Sequence, residues 1–206
     1  MTAGGRTRLL RVDPSSPERA ALAAAAAALR EGGVVAFPTE TFYGLGAAAR
    51  LAAAVRRVFA LKGRPEAKPV LLLVDGVAMA ESVAEVTGEA RALMARHWPG
   101  ALTLVLRARP GVPGEVTAGT GTVGVRLSPH PVARGLVAAL GEPVIAPSAN
   151  PGGREPPTSA AAVLAYFGEA LDLVLDGGAT PGGEPSTVLD LTVTPPRLLR
   201  QGAVRL

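Results

Sequence analysis

The sequence predicts an α/β fold, a twisted mixed β-sheet flanked by helices, and three observations carry that reading. Short apolar runs rich in Val, Leu and Ala alternate with longer stretches whose apolar residues recur at helical spacing. The chain holds 25 Gly and 19 Pro, which suit many tight connections. Some apolar runs follow one another with no helix between them, so parallel and antiparallel neighbours must share one sheet. At 206 residues the chain fits a single domain, 1–206, with no fixed-period repeat and no dividing linker. Hydrophobic residues make up 48% but aromatics only 3%, so the core must be aliphatic.

Taken in order, residues 1–8 read as a loose start and Leu9–Val12 as a short strand. "PSSPERAALAAAAAALREGG" is a helix, with Ser16 expected as N-cap, Pro17 in the first turn and Gly32 or Gly33 at the C-terminal end. "VVAF" (34–37) is a buried strand stopped by Pro38, and "FPTETFYGLG" (37–46) a hydroxyl-rich loop with Gly44 and Gly46 as turn formers. Residues 51–63 have helical period; "KPVLLLVDG" is a strand, followed by helical stretches up to Trp98. Further strands are expected at 101–108, 122–127, 143–149, 171–178 and 186–192, and helices at 130–140 and 158–167. "GTGTVG" (119–124) matches a dinucleotide fingerprint only in letters: it leads into a strand, where that fingerprint needs a helix, and is read as a turn.

Composition excludes several chemistries. Without cysteine there are no disulfides, thiolate metal sites or cysteine nucleophiles, a composition that suits a reducing cytosol. The two histidines, His97 and His130, lack metal-ligand spacing and are assigned to structure, as is Trp98. The longest apolar run, 20–29, is about half of what a membrane span needs. The expectation is a cytoplasmic protein with no membrane partner. A formal charge of +4 suits a phosphate-bearing ligand or a transient RNA contact without demanding either.

Six stretches carry candidate chemistry. "ALKGRPEAKPV" holds both lysines of an otherwise arginine-using chain: Lys62, Arg64 and Lys68 crowd a segment stiffened by Pro65 and Pro69. A helix end would account for Lys62, but the cluster as a whole reads as an anion site. "APSANPGG" has Ser148 and the chain's only asparagine, Asn150, after an apolar strand, where side-chain amides and hydroxyls hold ligands; an ordinary turn is the plainer reading. Ser148 lacks a nucleophile elbow and an acid-backed histidine, so a serine hydrolase is excluded. Arg126, alternating with Val123 and Val125, is costly on an apolar strand unless it meets a carboxylate or an anionic ligand, and Arg200 raises the same question. Ser186 and Thr187 start a strand beside glycines, and Thr39 and Thr41 follow one.

Together these stretches resemble the YrdC/TsaC family of threonylcarbamoyl-AMP synthases. The resemblance rests on "GGVVAFPTETFYGLG", "ALKGRPEAKPV", "HWPGALTLVL", "TVGVRLSPHPVA", "PVIAPSANPGG", "PSTVLDL" and "LLRQGAV", in family order over about residues 17–204. It implies a YrdC-like sheet with a concave basic face, in the short form without an added C-terminal domain. It also implies an enzyme that condenses L-threonine, bicarbonate and ATP to threonylcarbamoyl-AMP and pyrophosphate, a nucleotidyltransferase. Downstream transfer proteins would then modify tRNA beside the anticodon, with possible tRNA contact by this chain.

By the same resemblance Lys62 and Arg64 are catalytic and bind ATP with Thr122, Ser148, Asn150 and Arg200. Thr39, Arg126 and Ser186 hold threonine. Mg²⁺ arrives with ATP, with no dedicated protein ligand. The chain departs from the family at Gly152 and Ser128, where serine and proline are common, and at Lys68, where some relatives carry Asn. A structured-RNA-binding module of the same fold and a paralogue with another substrate are the alternatives. The related hydrogenase-maturation proteins carry cysteine-rich zinc modules foreign to this sequence.

Overall fold

The computed structural model describes residues 6–63 and 70–206. In chain order the described elements are β1 (Arg8–Arg11), α1 (Arg19–Arg30), β2 (Val35–Pro38), β3 (Tyr43–Ala48), α2 (Ala52–Lys62), β4 (Leu71–Leu73), α3 (Val77–Val83) and α4 (Gly88–His97). They continue with β5 (Leu102–Arg107), α5 (Gly114–Thr117), β6 (Thr122–Arg126), α6 (Pro131–Leu140), β7 (Val144–Ile145), α7 (Ala160–Phe167), β8 (Leu173–Asp176), β9 (Thr187–Asp190) and β10 (Arg197–Arg200). The strands form one mixed sheet in the order β1-β8-β2-β3-β7-β4-β6-β5-β9-β10. Parallel pairs (β1/β8, β2/β8, β4/β6, β5/β9) alternate with antiparallel ones such as β2/β3 and β5/β6. The expected fold class is therefore the observed one.

Side-chain alternation along the strands builds two cores. Val34, Ala36, Leu72 and Val174 point to one face, under α2, α4 and α7. Val35, Phe37, Leu73 and Leu173 point to the other, under α1 and α6. Helices α1 and α6 pack closely because Gly135 has no Cβ; one there would meet Leu22 Cδ1 at 2.6 Å. Burying each such aliphatic side chain contributes about 1.5–3 kcal/mol.

The helix ends follow local chemistry, with one correction. After α1, Gly32 at φ 81° donates to the Leu29 carbonyl at 3.0 Å and Gly33 to that of Ala28 at 2.8 Å, the paired bonds of a Schellman end. At its start Ser16 is not the cap. The helix begins at Arg19, with Glu18 in the cap position, because the Asp13 carboxylate takes the N–H groups of Ser15 (2.8 Å) and Ser16 (3.2 Å) and holds that stretch in a turn. His130 and Ser159 cap α6 and α7. The Trp98 indole, just past α4, donates to the Leu102 carbonyl at 2.8 Å, as a structural role requires.

Three strand readings need correction. The expected loop at 37–46 contains most of β3, whose six residues are all buried. Gly46 is there because a Cβ would meet Phe37 Cε1 at 2.7 Å, not because the chain turns. The strand expected at 143–149 keeps a regular ladder only at Val144–Ile145, since Pro147 has no N–H to give; an isolated bridge joins Ser148 to Gly44. The segment 197–200, read only as a candidate site, is the edge strand β10. "GTGTVG" is indeed a turn, with Gly119 and Gly121 at positive φ, feeding β6.

Candidate functional site

The face that α1 and α6 cover over β2 and β7 is left bare farther along the sheet. Leu71 and Leu73 of β4 face α1 and α6, and their register partners on β6 are Gly124 and Arg126. Those two residues, with Thr103 and Val105 of β5 and Val188 and Asp190 of β9, floor a cleft of about 1160 Å³. The rim comes from the β2–β3 turn, the C-terminus of α2, the loop after β7 and strand β10.

The sequence-predicted residues meet in this cleft. Thr39, Lys62, Thr122, Arg126, Ser148 and Asn150 all line it, as do Ser186 and Arg200. Arg64 and Lys68 lie outside the described residues. Each lining side chain sits at or just beyond the end of an element: Lys62 closes α2, Thr122 and Arg126 bound β6, and Arg200 ends β10.

Hydrogen bonds hold them there. The Thr39 hydroxyl donates to the Phe42 carbonyl at 2.7 Å and stands 3.3 Å from that of Thr41. Lys62 Nζ is buried against the carbonyls of Ser148 and Asn150, the latter at 2.6 Å, while Gly152 N–H returns a bond to the Lys62 carbonyl at 2.7 Å. The lysine therefore tethers the loop after β7. In that loop the Asn150 amide donates to the carbonyls of Arg154 (2.7 Å) and Pro151 (3.0 Å), leaving its own buried oxygen without a partner among the described residues. Arg200 grips Ser186 twice, Nε on the carbonyl at 2.9 Å and Nη2 on the hydroxyl at 3.0 Å; that hydroxyl also lies 3.0 Å from Thr103 Oγ1. The grip depends on Gly202: a Cβ there would stand 2.1 Å from the Pro185 carbonyl, and the Gly202 N–H donates to Thr187 Oγ1 at 3.0 Å.

Charge is concentrated on the floor and at the β10 rim. Burial pulls the Arg126 guanidinium below the usual arginine value, and the nearby Glu40 carboxylate opposes that shift. Arg200 is lowered too, first because the protein shields part of its side chain from water and then by repulsion from Arg126. Two guanidiniums that repel each other, with one carboxylate between the β2–β3 turn and β6 to offset them, make a site that gains by admitting an anion. Asp190 adds little basicity. Burial alone would raise its carboxyl, but bonds from Thr192 and Arg197 outweigh that and hold it below the usual range, so it stays ionised.

Sequence reasoning missed Thr103, Asp190 and Arg197, and with them Glu40 and Ser128 behind Arg126. Thr103 carried a signal: one hydroxyl in the apolar run "LTLVL", the same anomaly that singled out Arg126. Glu40 lay inside the quoted "FPTETFYGLG" stretch, but a carboxylate between two threonines looks locally like any solvated turn.

Fold and cleft together define an α/β protein with an anion-accepting, hydroxyl-lined site at its strand ends. Residues 27–202 match the model of the Sua5/YciO/YrdC family, whose description reads telomere recombination, and the chain belongs to that family. It is 46% identical over 183 residues to the threonylcarbamoyl-AMP synthase of Pyrococcus abyssi, covering 88% of this chain and 54% of that one. It is 43% identical over 185 residues to the threonylcarbamoyl-AMP synthase of Bacillus subtilis, covering 89% and 54%. The chain thus spans about half the length of these relatives. The crystal structure of P. abyssi Sua5 complexed with L-threonine superposes with a TM-score of 0.92 at 44% identity, covering 95% of this chain and 58% of that one. Among the described residues no helix is long and apolar enough to cross a membrane.

Proposed function

We propose that this chain is an L-threonylcarbamoyladenylate synthase, a nucleotidyltransferase that condenses L-threonine, bicarbonate and ATP. The observation that carries the reading is the pair Arg126 and Arg200, two mutually repelling guanidiniums, one on the floor and one at the rim of a hydroxyl-lined cleft, in a chain whose relative was crystallised with L-threonine. Arg126 takes the threonine carboxylate, helped by Thr39 and Ser186. Thr122, Ser148, Asn150 and Arg200 line the nucleotide end, and the phosphates are assigned to Lys62 and, by the family resemblance, Arg64.

The threonine amine bonds to the carbon of bicarbonate, which loses water, and the resulting carbamate oxygen attacks the α-phosphorus of ATP. The bond from that phosphorus to the bridging oxygen breaks, and pyrophosphate leaves with the electron pair. Holding both reactants in one sheltered cleft matters because a free carbamate decomposes. Cations beside the departing pyrophosphate lower the barrier by offsetting the charge that develops there.

Mg²⁺ enters as part of the ATP substrate. In this reading the ion is carried by the ATP phosphates and water. The product would pass to tRNA-modifying transfer proteins in the cytoplasm.

Pyrophosphate release from ATP with Mg²⁺ and bicarbonate, with and without L-threonine and with L-serine as control, tests the reading. Release that needs threonine and bicarbonate together is expected. Folded protein that binds structured RNA with a steep salt dependence and releases no pyrophosphate would replace it with the RNA-binding reading.

A further inference from the structure

Arg126 sits on the cleft floor with its side chain 5% exposed, yet its connections to the protein are few. Its Nη1 lies 3.3 Å from Glu40 Oε1, an ion pair without hydrogen-bond alignment; Arg126 Nε and Glu40 Oε1 are both buried and have no hydrogen-bond partner among the described residues. Glu40 itself does not line the cleft. It stands behind the arginine, its other oxygen Oε2 taking the hydroxyl hydrogen of Ser128, two residues beyond Arg126 on the same chain segment. The Ser128 hydroxyl is fixed in turn, because its oxygen accepts the His130 N–H at 3.2 Å at the start of α6. A line of contacts therefore runs from the α6 cap through Ser128 and Glu40 to the guanidinium.

We propose that Glu40, oriented by Ser128, is the positioning residue that aims the Arg126 guanidinium into the cleft, and that it thereby sets the affinity for the carboxylate substrate without touching it. A flexible side chain with five donors needs a fixed counter-charge to hold one rotamer in the empty site. The pair is loose enough to leave donors for an incoming carboxylate, whereas an aligned bidentate pair would use them up. Ser128 supplies what the carboxylate lacks by itself, a reason to present Oε1 rather than Oε2 to the arginine. The proposal rests on the assignment of Arg126 to the threonine carboxylate.

Two measurements test it on the full chain. In the first, side-chain ¹⁵N NMR of Arg126 reads the order and solvent exchange of its Nε–H in the wild type, in Glu40→Gln (isosteric, uncharged) and in Ser128→Ala. A slowly exchanging, ordered signal in the wild type that becomes mobile in both variants is expected. An Arg126 signal equally ordered in Glu40→Gln overturns the proposal, whatever the enzyme does.

The second measurement is kinetic. In Glu40→Gln the KM for L-threonine rises about a hundredfold, the scale of a misplaced binding group, while the KM for ATP stays within about twofold. In Ser128→Ala it rises about tenfold. On an Arg126→Ala background Glu40→Gln adds nothing further. A merely structural role would lower stability without splitting the two KM values. If the wild type releases no threonine-dependent pyrophosphate, the synthase reading fails, and the NMR comparison still decides whether Glu40 positions Arg126.

Discussion

Two halves of one sheet face are built by the same alternation and end differently. Over β2, β8 and β7 the outward residues are Val35, Phe37, Leu173 and Val144, sealed beneath α1 and α6. Over β6, β5 and β9 the residues on that face are Thr122, Arg126, Thr103 and Asp190, and among the described residues no helix covers them. The opposite face is largely apolar, Leu104 and Val125 joining the same core as Ala36 and Leu45. A sheet can carry charge where it keeps a cover on one side only, since the covered side supplies the burial free energy and the other can be spent on binding. Stability should therefore be concentrated in the covered half and activity in the open half.

Arg126→Ala is the most severe break expected in the open half. It should lower threonine-dependent pyrophosphate release about a thousandfold, on the scale of losing a preorganised charge partner, and leave Glu40 buried without its cation. In the covered half, Leu136→Ala removes a fully buried side chain of α6 and should cost about 2–5 kcal/mol of stability with turnover unchanged within about twofold. If that substitution lowered turnover while Arg126→Ala only destabilised, the division of labour would be wrong.

The Lys62→Ala change belongs to the boundary. It unties the Ser148 and Asn150 carbonyls and removes a cation, so turnover should fall about a hundredfold with the unfolding midpoint little changed. Unfolding of the variant would instead mark Lys62 as a helix-end anchor.

The smallest effect is one of pH. Burial holds His130 below the usual histidine value, opposed by Glu40, and its Nδ1 accepts the Val132 N–H at 3.2 Å in the α6 cap. The folded state thus prefers the neutral ring. Stability from this group is intact above the ordinary pKa of about 6.5 and falls as the pH drops from there through the folded value. His130→Asn, which can still cap, should remove that acid-side loss in melts taken from pH 7.5 down to 5.

Much of this was legible without coordinates, for reasons that can be named. The Gly32–Gly33 end of α1 is decided by a few adjacent residues. The strand at 34–37 reads as one because it is apolar and short, and Arg126 was conspicuous because nothing apolar excuses a guanidinium between Val123 and Val125. What escaped was β3. Buried on both faces and built on "YGLGAA", it has no alternation, and its two glycines mimic a turn while in fact making room for Phe37. Strand β10 escaped for the opposite reason: all four residues are exposed, so burial left no mark on them.

Local chemistry along the chain determined the α/β class, the C-terminal end of α1 and the suspicion attached to Thr39, Lys62, Arg126, Ser148, Asn150, Ser186 and Arg200. It could do so because propensity, capping and the cost of burying charge act over a few residues. Only the tertiary structure decided that these side chains, from positions 39 to 200, share one cleft, that Lys62 ties down the loop bearing Asn150, and that Glu40 stands behind Arg126. Those facts depend on strand order and register, β4 beside β6 and β5 beside β9, set by which apolar faces can be buried together across the whole sheet.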